Sequence, residues 1–331
     1  MKNVVLTGDR PTGVLHLGHL KGSLEMRVDL QNQYPHSSYI LIADQQALTD
    51  NFEHPEKVRE NLLKVYACYL AVGIDPNLTT IFVQSLVPEL FEITAHLTNL
   101  VTNNQLMRNP TLKAEAESKG YDNLPTGFFM YPISQIADVI GVKGTLVPVG
   151  EDQLPHLEFA NDICKKFNRT YKTDILQSCQ PILSRTTRLV GLDGKEKMSK
   201  SLGNAIFLND SPELIKKKVF KMFTDPNHLT VDSPGNPNNP VFDYLRTFHE
   251  DADFMVGLQE HYARGGLGDV KCKQILDEVL QAKLAPIREK YNMYISDEAE
   301  LMRQVKASSG KTRQVVQGVV TEIRSAIGIN Y

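Results

Sequence analysis

The chain has 331 residues, of which 41% are hydrophobic and 23% charged, and a formal net charge of −3. That usage is typical of an ordinary globular chain; it excludes disordered, fibrous and membrane-embedded classes, and the length leads us to expect two domains. The slight negative charge argues against a protein that coats nucleic acid indiscriminately, because such affinity comes from Lys and Arg neutralising phosphate.

The opening residues hold one lysine and a short apolar run before Asp9 and Arg10, too little for a signal peptide, and no later run could span a bilayer. A cytoplasmic protein is expected. Cys68, Cys164, Cys179 and Cys272 are widely scattered, so neither a disulfide framework nor a zinc knuckle is suggested.

The first predicted element is a strand over residues 4–7, running into a βα turn that contains Gly8, Arg10, Pro11 and Thr12 and opens a helix at His16-Leu17-Gly18-His19. Compact apolar runs follow at 39–43, 80–84 and 146–149, alternating with helical patterns in the manner of a parallel sheet with crossover helices. Between the second and third runs, Val58, Leu62, Val65, Tyr69 and Val72 recur at steps of four and three, predicting a helix that ends near Gly73. Tyr131, Gln135 and Asp138 share the same spacing, so a helix beginning near Pro132 would aim them toward one region.

After Leu208 no comparable strand returns. Ser211-Pro212-Glu213 signals a helix start, and residues 224–240 form a turn-rich loop. Stripes at Leu276, Leu280, Leu284, Ile287 and Tyr291, and at Val316, Val319, Ile323 and Ile327, predict two further helices. The fold class is therefore α/β, a Rossmann-type parallel sheet followed by an all-helical part.

Two motifs carry chemistry. A helix N-terminus after the first strand offers backbone N–H groups to phosphate; Gly18 allows close approach of a base, and His16 and His19 can donate to phosphate oxygens. Alone, such a histidine pair is more often structural, and HxGH also marks nucleotidyltransferases. The second motif, Lys197-Met198-Ser199-Lys200-Ser201 on a Gly-flanked loop, can surround a pyrophosphate with positive charge and hydroxyls and can close and reopen during turnover.

HLGH at 16–19 and KMSKS at 197–201, in that order and about one Rossmann domain apart, resemble the signature pair of class I aminoacyl-tRNA synthetases. The stretches GDRPTGVLHLGHL, ADQQALTD, PTGFFMYPISQIAD, VPVGEDQ, GLDGKEKMSKSLGN and GGLGDVK resemble the bacterial tryptophanyl branch of that family, over essentially the whole chain. The resemblance implies a catalytic domain over 1–208 with an insertion at about 88–124 and a KMSKS loop at 195–203, then a helical anticodon-binding domain over 209–331.

Carried over by position, it implies that Arg10, Pro11, Thr12, Gly18 and His19 line ATP, and that Gly150, Glu151 and Asp152 surround ribose and adenine. Leu189 would lie against adenine, with Lys197, Met198, Ser199, Lys200 and Ser201 around the phosphates. His16, His19, Lys197 and Lys200 would be the catalytic groups. Mg²⁺ would accompany the ATP phosphates, without a dedicated metal site in the protein. The amino acid, L-tryptophan, would meet Leu6, Gly8, Tyr131, Gln135, Asp138, Val147, Val149 and Gln153. Asp138 would accept the indole N–H, while Tyr131 and Gln153 hold the amino end.

The tyrosyl branch shares the Tyr-x-x-x-Gln-x-x-Asp pattern, and many tryptophanyl members place Met where Gln135 stands. Tyrosyl members also put a tyrosine where Leu6 stands, giving a phenol a second polar partner. An indole N–H only donates, so a carboxylate facing an apolar Leu6 suits indole better. The expected activity is ligation of tryptophan to tRNA(Trp) by a homodimer formed through the insertion. Tyrosine ligation and a non-catalytic RNA-binding relative are the alternatives. Lys271, Lys273, Arg288, Lys306, Lys311 and Arg313 would face tRNA.

Overall fold

The computed structural model describes residues 3–183, 189–196, 198–200 and 202–331. Among these, five parallel strands form one sheet in the order β3-β2-β1-β4-β5. They are β1 (Val5–Asp9), β2 (Ser38–Ile42), β3 (Thr79–Val83), β4 (Leu146–Val149) and β5 (Gln180–Leu183). The chain winds outward from β1 to β3, then crosses back to the other side of β1, so the order reverses between β1 and β4. In open parallel sheets, ligands enter at such a reversal, beyond the carboxyl ends of the strands. β1 and β2 are paired along their whole length, whereas β1 and β4 share the single register pair Val5–Leu146. The two strands part beyond it, and Leu6, Gly8, Val147 and Val149 lie on the strands that part.

The predicted crossover helix spans Pro55–Val72, buries Val58, Val65 and Tyr69, and ends at Gly73 in the left-handed region with φ of 108°. Glycine takes that conformation without steric cost. One prediction needs correcting: the helix carrying Asp138 runs Thr126–Gly141, with Pro132 in its interior and not at its start. Phe128, fully buried, anchors the added first turn; Pro132 removes one backbone donor without ending the helix.

Contacts divide the chain into two compact units. The first comprises Met1–Gly13, Glu25–Arg185 and Asp297–Tyr331, and the second Val14–Leu24 and Thr186–Ser296. These do not coincide with a division at 208. The reason is the helix Glu298–Ile327, whose apolar stripe Val316, Val319, Val320 and Ile323 lies in the same core as Leu6, Phe82 and Ile136. It also serves the edge strand β3: Ser309 Oγ accepts the Val83 N–H at 3.0 Å, and Ser308 Oγ donates to the Ile81 carbonyl.

The second unit is helical, as expected after 208. Its helices Pro212–Phe220, Pro240–Phe248, Ala252–Arg264 and Asp269–Ile295 bury Ile215, Val219, Phe242, Leu245, Leu276 and Leu280. Ser211 caps the first of them, accepting from the Leu214 N–H. Among the described residues no helix is long and apolar enough to cross a membrane.

Candidate active site

In the first unit, Asp138 is 3% exposed and its carboxylate has a dedicated partner. Gln84 Nε2 lies 3.0 Å from both carboxylate oxygens, and Gln84 Oε1 accepts the Gln46 backbone N–H at 3.0 Å. Burial pushes the Asp138 carboxyl up to about 8; the Gln84 contact opposes the rise and Asp44 adds to it. Gln84 was given no role by sequence reasoning. Its signal was its place directly after a strand, at the sheet's ligand-binding end. Gln135, one turn before Asp138, is half-buried.

Tyr131 is buried on the same helix, its Oη 3.4 Å from His156 Nε2. Burial raises the Tyr131 hydroxyl pKa well above its ordinary value, and the negative charge of Glu115 adds to the rise. Gly150 leads into the short turn Glu151–Gln153 at the carboxyl end of β4, where Gln153 Nε2 donates to Asp152 at 3.1 Å. A side chain at Gly150 would stand 2.6 Å from Asp152 Oδ1.

The carboxyl end of β1 is clamped. Asp9 receives Arg27 Nη1 at 2.6 Å and the Tyr69 hydroxyl at 2.7 Å, and a Cβ on Gly8 would meet the Leu41 carbonyl oxygen at 2.5 Å. Gly8 thus has a packing reason in the sheet itself. Pro11 is buried, and the Thr12 N–H turns back to the Arg10 carbonyl at 2.9 Å. Arg10 reaches Asp50 at 3.0 Å, a carboxylate that also holds Lys119 at 2.5 Å.

The second unit brings the two signature motifs together. The Gly18 N–H points to both His16 Nδ1, at 3.1 Å, and Met198 Sδ, at 3.3 Å. His16 is the N-cap of this helix and not a residue on its face, and the His16 N–H in turn donates to His19 Nδ1 at 3.2 Å. A neutral imidazole whose Nδ1 accepts carries its proton on Nε2, so both rings are set as Nε2–H donors, the polarity a phosphate oxygen requires. A Cβ on Gly18 would stand 2.9 Å from the His16 ring.

Met198 is buried, its N–H donates to the carbonyl of buried Leu189 at 3.2 Å, and the Ser199 N–H is held by Asn204 Oδ1 at 2.9 Å. Asn204 is a second residue to which sequence reasoning gave no role. Lys200, half-buried, follows Ser199 directly. Lys197 and Ser201 lie outside the described residues.

A family model described as tRNA synthetases class I (W and Y) matches residues 1–285. The tryptophan–tRNA ligase of Clostridium longisporum is 52% identical, the alignment covering 100% of this chain and 98% of that one. The enzyme of the same name from Streptococcus pyogenes serotype M3 is 47% identical, covering 100% and 99%. Among solved structures, tryptophanyl-tRNA synthetase from Campylobacter jejuni complexed with ADP and tryptophan superposes with a TM-score of 0.87 at 31% identity, covering 98% and 99%. Tyrosyl-tRNA synthetase from Archaeoglobus fulgidus shares the fold, with a TM-score of 0.67 at 21% identity over 87% and 90%. The chain belongs to the class I aminoacyl-tRNA synthetases of the tryptophan and tyrosine group. Its full-length bacterial relatives lie on the tryptophanyl side of that group.

Proposed function

We propose that the chain activates L-tryptophan with ATP and transfers it to tRNA(Trp). The tryptophan carboxylate oxygen bonds to the α-phosphorus as the bond to the β-phosphate bridge breaks and pyrophosphate leaves. A terminal ribose hydroxyl of the tRNA then attacks the aminoacyl carbonyl, its proton is lost, and AMP departs. The observation that carries the choice of amino acid is the buried Asp138 carboxylate held by Gln84, with the apolar Leu6 on β1. Each carboxylate oxygen keeps acceptor capacity beyond Gln84, which suits an indole N–H.

ATP–pyrophosphate exchange tests this. Tryptophan should support exchange with kcat/KM about 10⁴-fold or more above tyrosine, the ratio a hydrogen-bonding site can reach without editing. Comparable rates for the two amino acids would overturn the assignment.

Asp138 also gives a pH dependence. An indole N–H binds a carboxylate better than the acid, so binding near neutrality displaces the proton that burial holds on Asp138. Tryptophan affinity is therefore expected to rise from about pH 6 toward about pH 8, then level off. The same titration with Asp138→Asn should be flat across that window; an unchanged slope would assign the dependence to another group.

In this reading, His16, His19, Lys197 and Lys200 stabilise charge on the phosphates, and Arg10, Pro11, Thr12, Gly18, Gly150, Glu151, Asp152, Leu189, Met198, Ser199 and Ser201 bind the nucleotide. Tyr131, Gln135, Gln153, Gly8, Val147 and Val149 complete the tryptophan pocket. No group of three or more His, Cys, Asp or Glu among the described residues could hold a metal ion. Mg²⁺ would be held by the nucleotide's phosphates and water, where it offsets phosphate charge.

The helical second unit would receive the anticodon, whose unpaired bases can be splayed and stacked. Three of the basic residues considered for tRNA are committed elsewhere. Lys273 Nζ donates to the Phe220 and Met222 carbonyls, Arg288 to the Asp210 carbonyl, and Arg313 pairs with Glu89. Exposed Phe91 and Met107, on the helices Glu89–Thr98 and Asn103–Met107, support a homodimer through the 88–124 segment.

A further inference from the structure

Asn109, His156 and Tyr131 form a hydrogen-bond chain in the first unit, and the direction of each link follows from the one before it. Asn109 caps the helix Pro110–Ser118, its Oδ1 accepting the backbone N–H groups of Thr111 at 3.0 Å and Leu112 at 3.2 Å. With its oxygen committed there, the Asn109 amide nitrogen faces His156 Nδ1 at 3.1 Å. An amide nitrogen only donates, so Nδ1 must accept. His156 is 8% exposed, and burial lowers its pKa to about 4, so the ring is neutral near pH 7. The proton of a neutral ring with an accepting Nδ1 sits on Nε2, which lies 3.4 Å from Tyr131 Oη. Tyr131 therefore accepts from His156 through one of the two acceptor positions of its hydroxyl oxygen. One acceptor position is left on its oxygen for a substrate donor.

We infer that His156 is a positioning residue whose tautomer, fixed by the helix cap Asn109, presents the Tyr131 hydroxyl oxygen as an acceptor for the substrate α-ammonium. This rests on the reading above in which Tyr131 holds the amino end of tryptophan. No local pattern encodes the chain, because Asn109 and Tyr131 lie 47 and 25 positions from His156.

Two experiments test it. In the intact protein labelled with ¹⁵N-histidine, His156 should show a protonated Nε2 and an unprotonated Nδ1 from pH 6 to pH 8; a proton on Nδ1 overturns the inference. In kinetics, His156→Leu should raise KM for tryptophan about tenfold, the effect of losing one hydrogen bond to a positioned acceptor, with kcat changed less than about twofold. His156→Gln can accept from Asn109 and donate to Tyr131, and should restore KM to within about threefold of the parent.

Tryptamine and indole-3-propionate, used as competitive inhibitors, locate the effect. Only tryptamine carries the ammonium, so His156→Leu should weaken it and leave indole-3-propionate unchanged. If Tyr131→Phe leaves tryptamine inhibition unchanged, the reading of Tyr131 fails. If Tyr131→Phe weakens it but His156→Leu does not, that reading stands and the role of His156 is overturned.

Discussion

Lys200→Ala is expected to slow tryptophanyl-adenylate formation by about 10²- to 10³-fold while changing tryptophan affinity less than about twofold. The asymmetry follows from when the charge exists. Negative charge builds on the departing pyrophosphate only as its bond to the α-phosphorus breaks, so a cation placed there acts on the transition state and hardly on the bound amino acid. Lys200 directly follows Ser199, whose N–H is tied to Asn204, and Met198, whose sulfur meets the Gly18 N–H. The loop residue is thus carried on a backbone anchored to the histidine-bearing helix, which limits how far the ammonium can stray. Single-turnover adenylate formation gives the first quantity. The second comes from ligand fluorescence, which is read without a protein tryptophan background because the chain contains none. Equal loss in both would remove Lys200 from the chemical step.

Asp138→Ala should lower kcat/KM for tryptophan by about 10²-fold and leave the low activity with phenylalanine unchanged, so that discrimination between the two collapses. Removing the carboxylate takes away the acceptor proposed for the indole N–H and also strands the buried Gln84 amide. Unpaired buried polar groups cost roughly 1–3 kcal/mol, so this variant should also be less stable. Asp138→Asn separates the two effects. Its carbonyl oxygen can still accept from Gln84, so it should fold more stably than the alanine variant while still favouring tryptophan less than the parent. Discrimination against phenylalanine that is unchanged in both variants would mean that indole is selected by shape alone.

Much of this fold was legible because its signals are local. Four strands announced themselves as short apolar runs, and the crossover helix by its spacing and by Gly73. β5 did not, since Gln180–Leu183 is a short, largely exposed edge strand containing Pro181. Proline is tolerated at a sheet edge but weakens any strand signal. Pro132 misled in the opposite sense: a helix starts a turn and a half before it, and only burial of Phe128 reveals that turn.

Site residues divide on the same line. HLGH and KMSKS were recognisable as motifs, yet the contact between Gly18 and Met198 spans 180 positions and was implied only by family resemblance. Gln84 meets Asp138, Asn109 meets His156, and His156 meets Tyr131 through hydrogen bonds between distant segments. No periodicity encodes such pairings, and each residue type is unremarkable in its own stretch.

The serines that grip β3 arrive late in synthesis. Ser309 is 226 positions beyond Val83, so at a translation rate of about 5–20 residues per second the strand's outer backbone waits roughly 10–45 s for its cover. During that wait a nascent chain on the ribosome exposes a bare ribbon able to pair with a neighbour on the same polysome. Demand for chaperones should therefore concentrate in the interval between emergence of Thr79–Val83 and emergence of Glu298–Ile327.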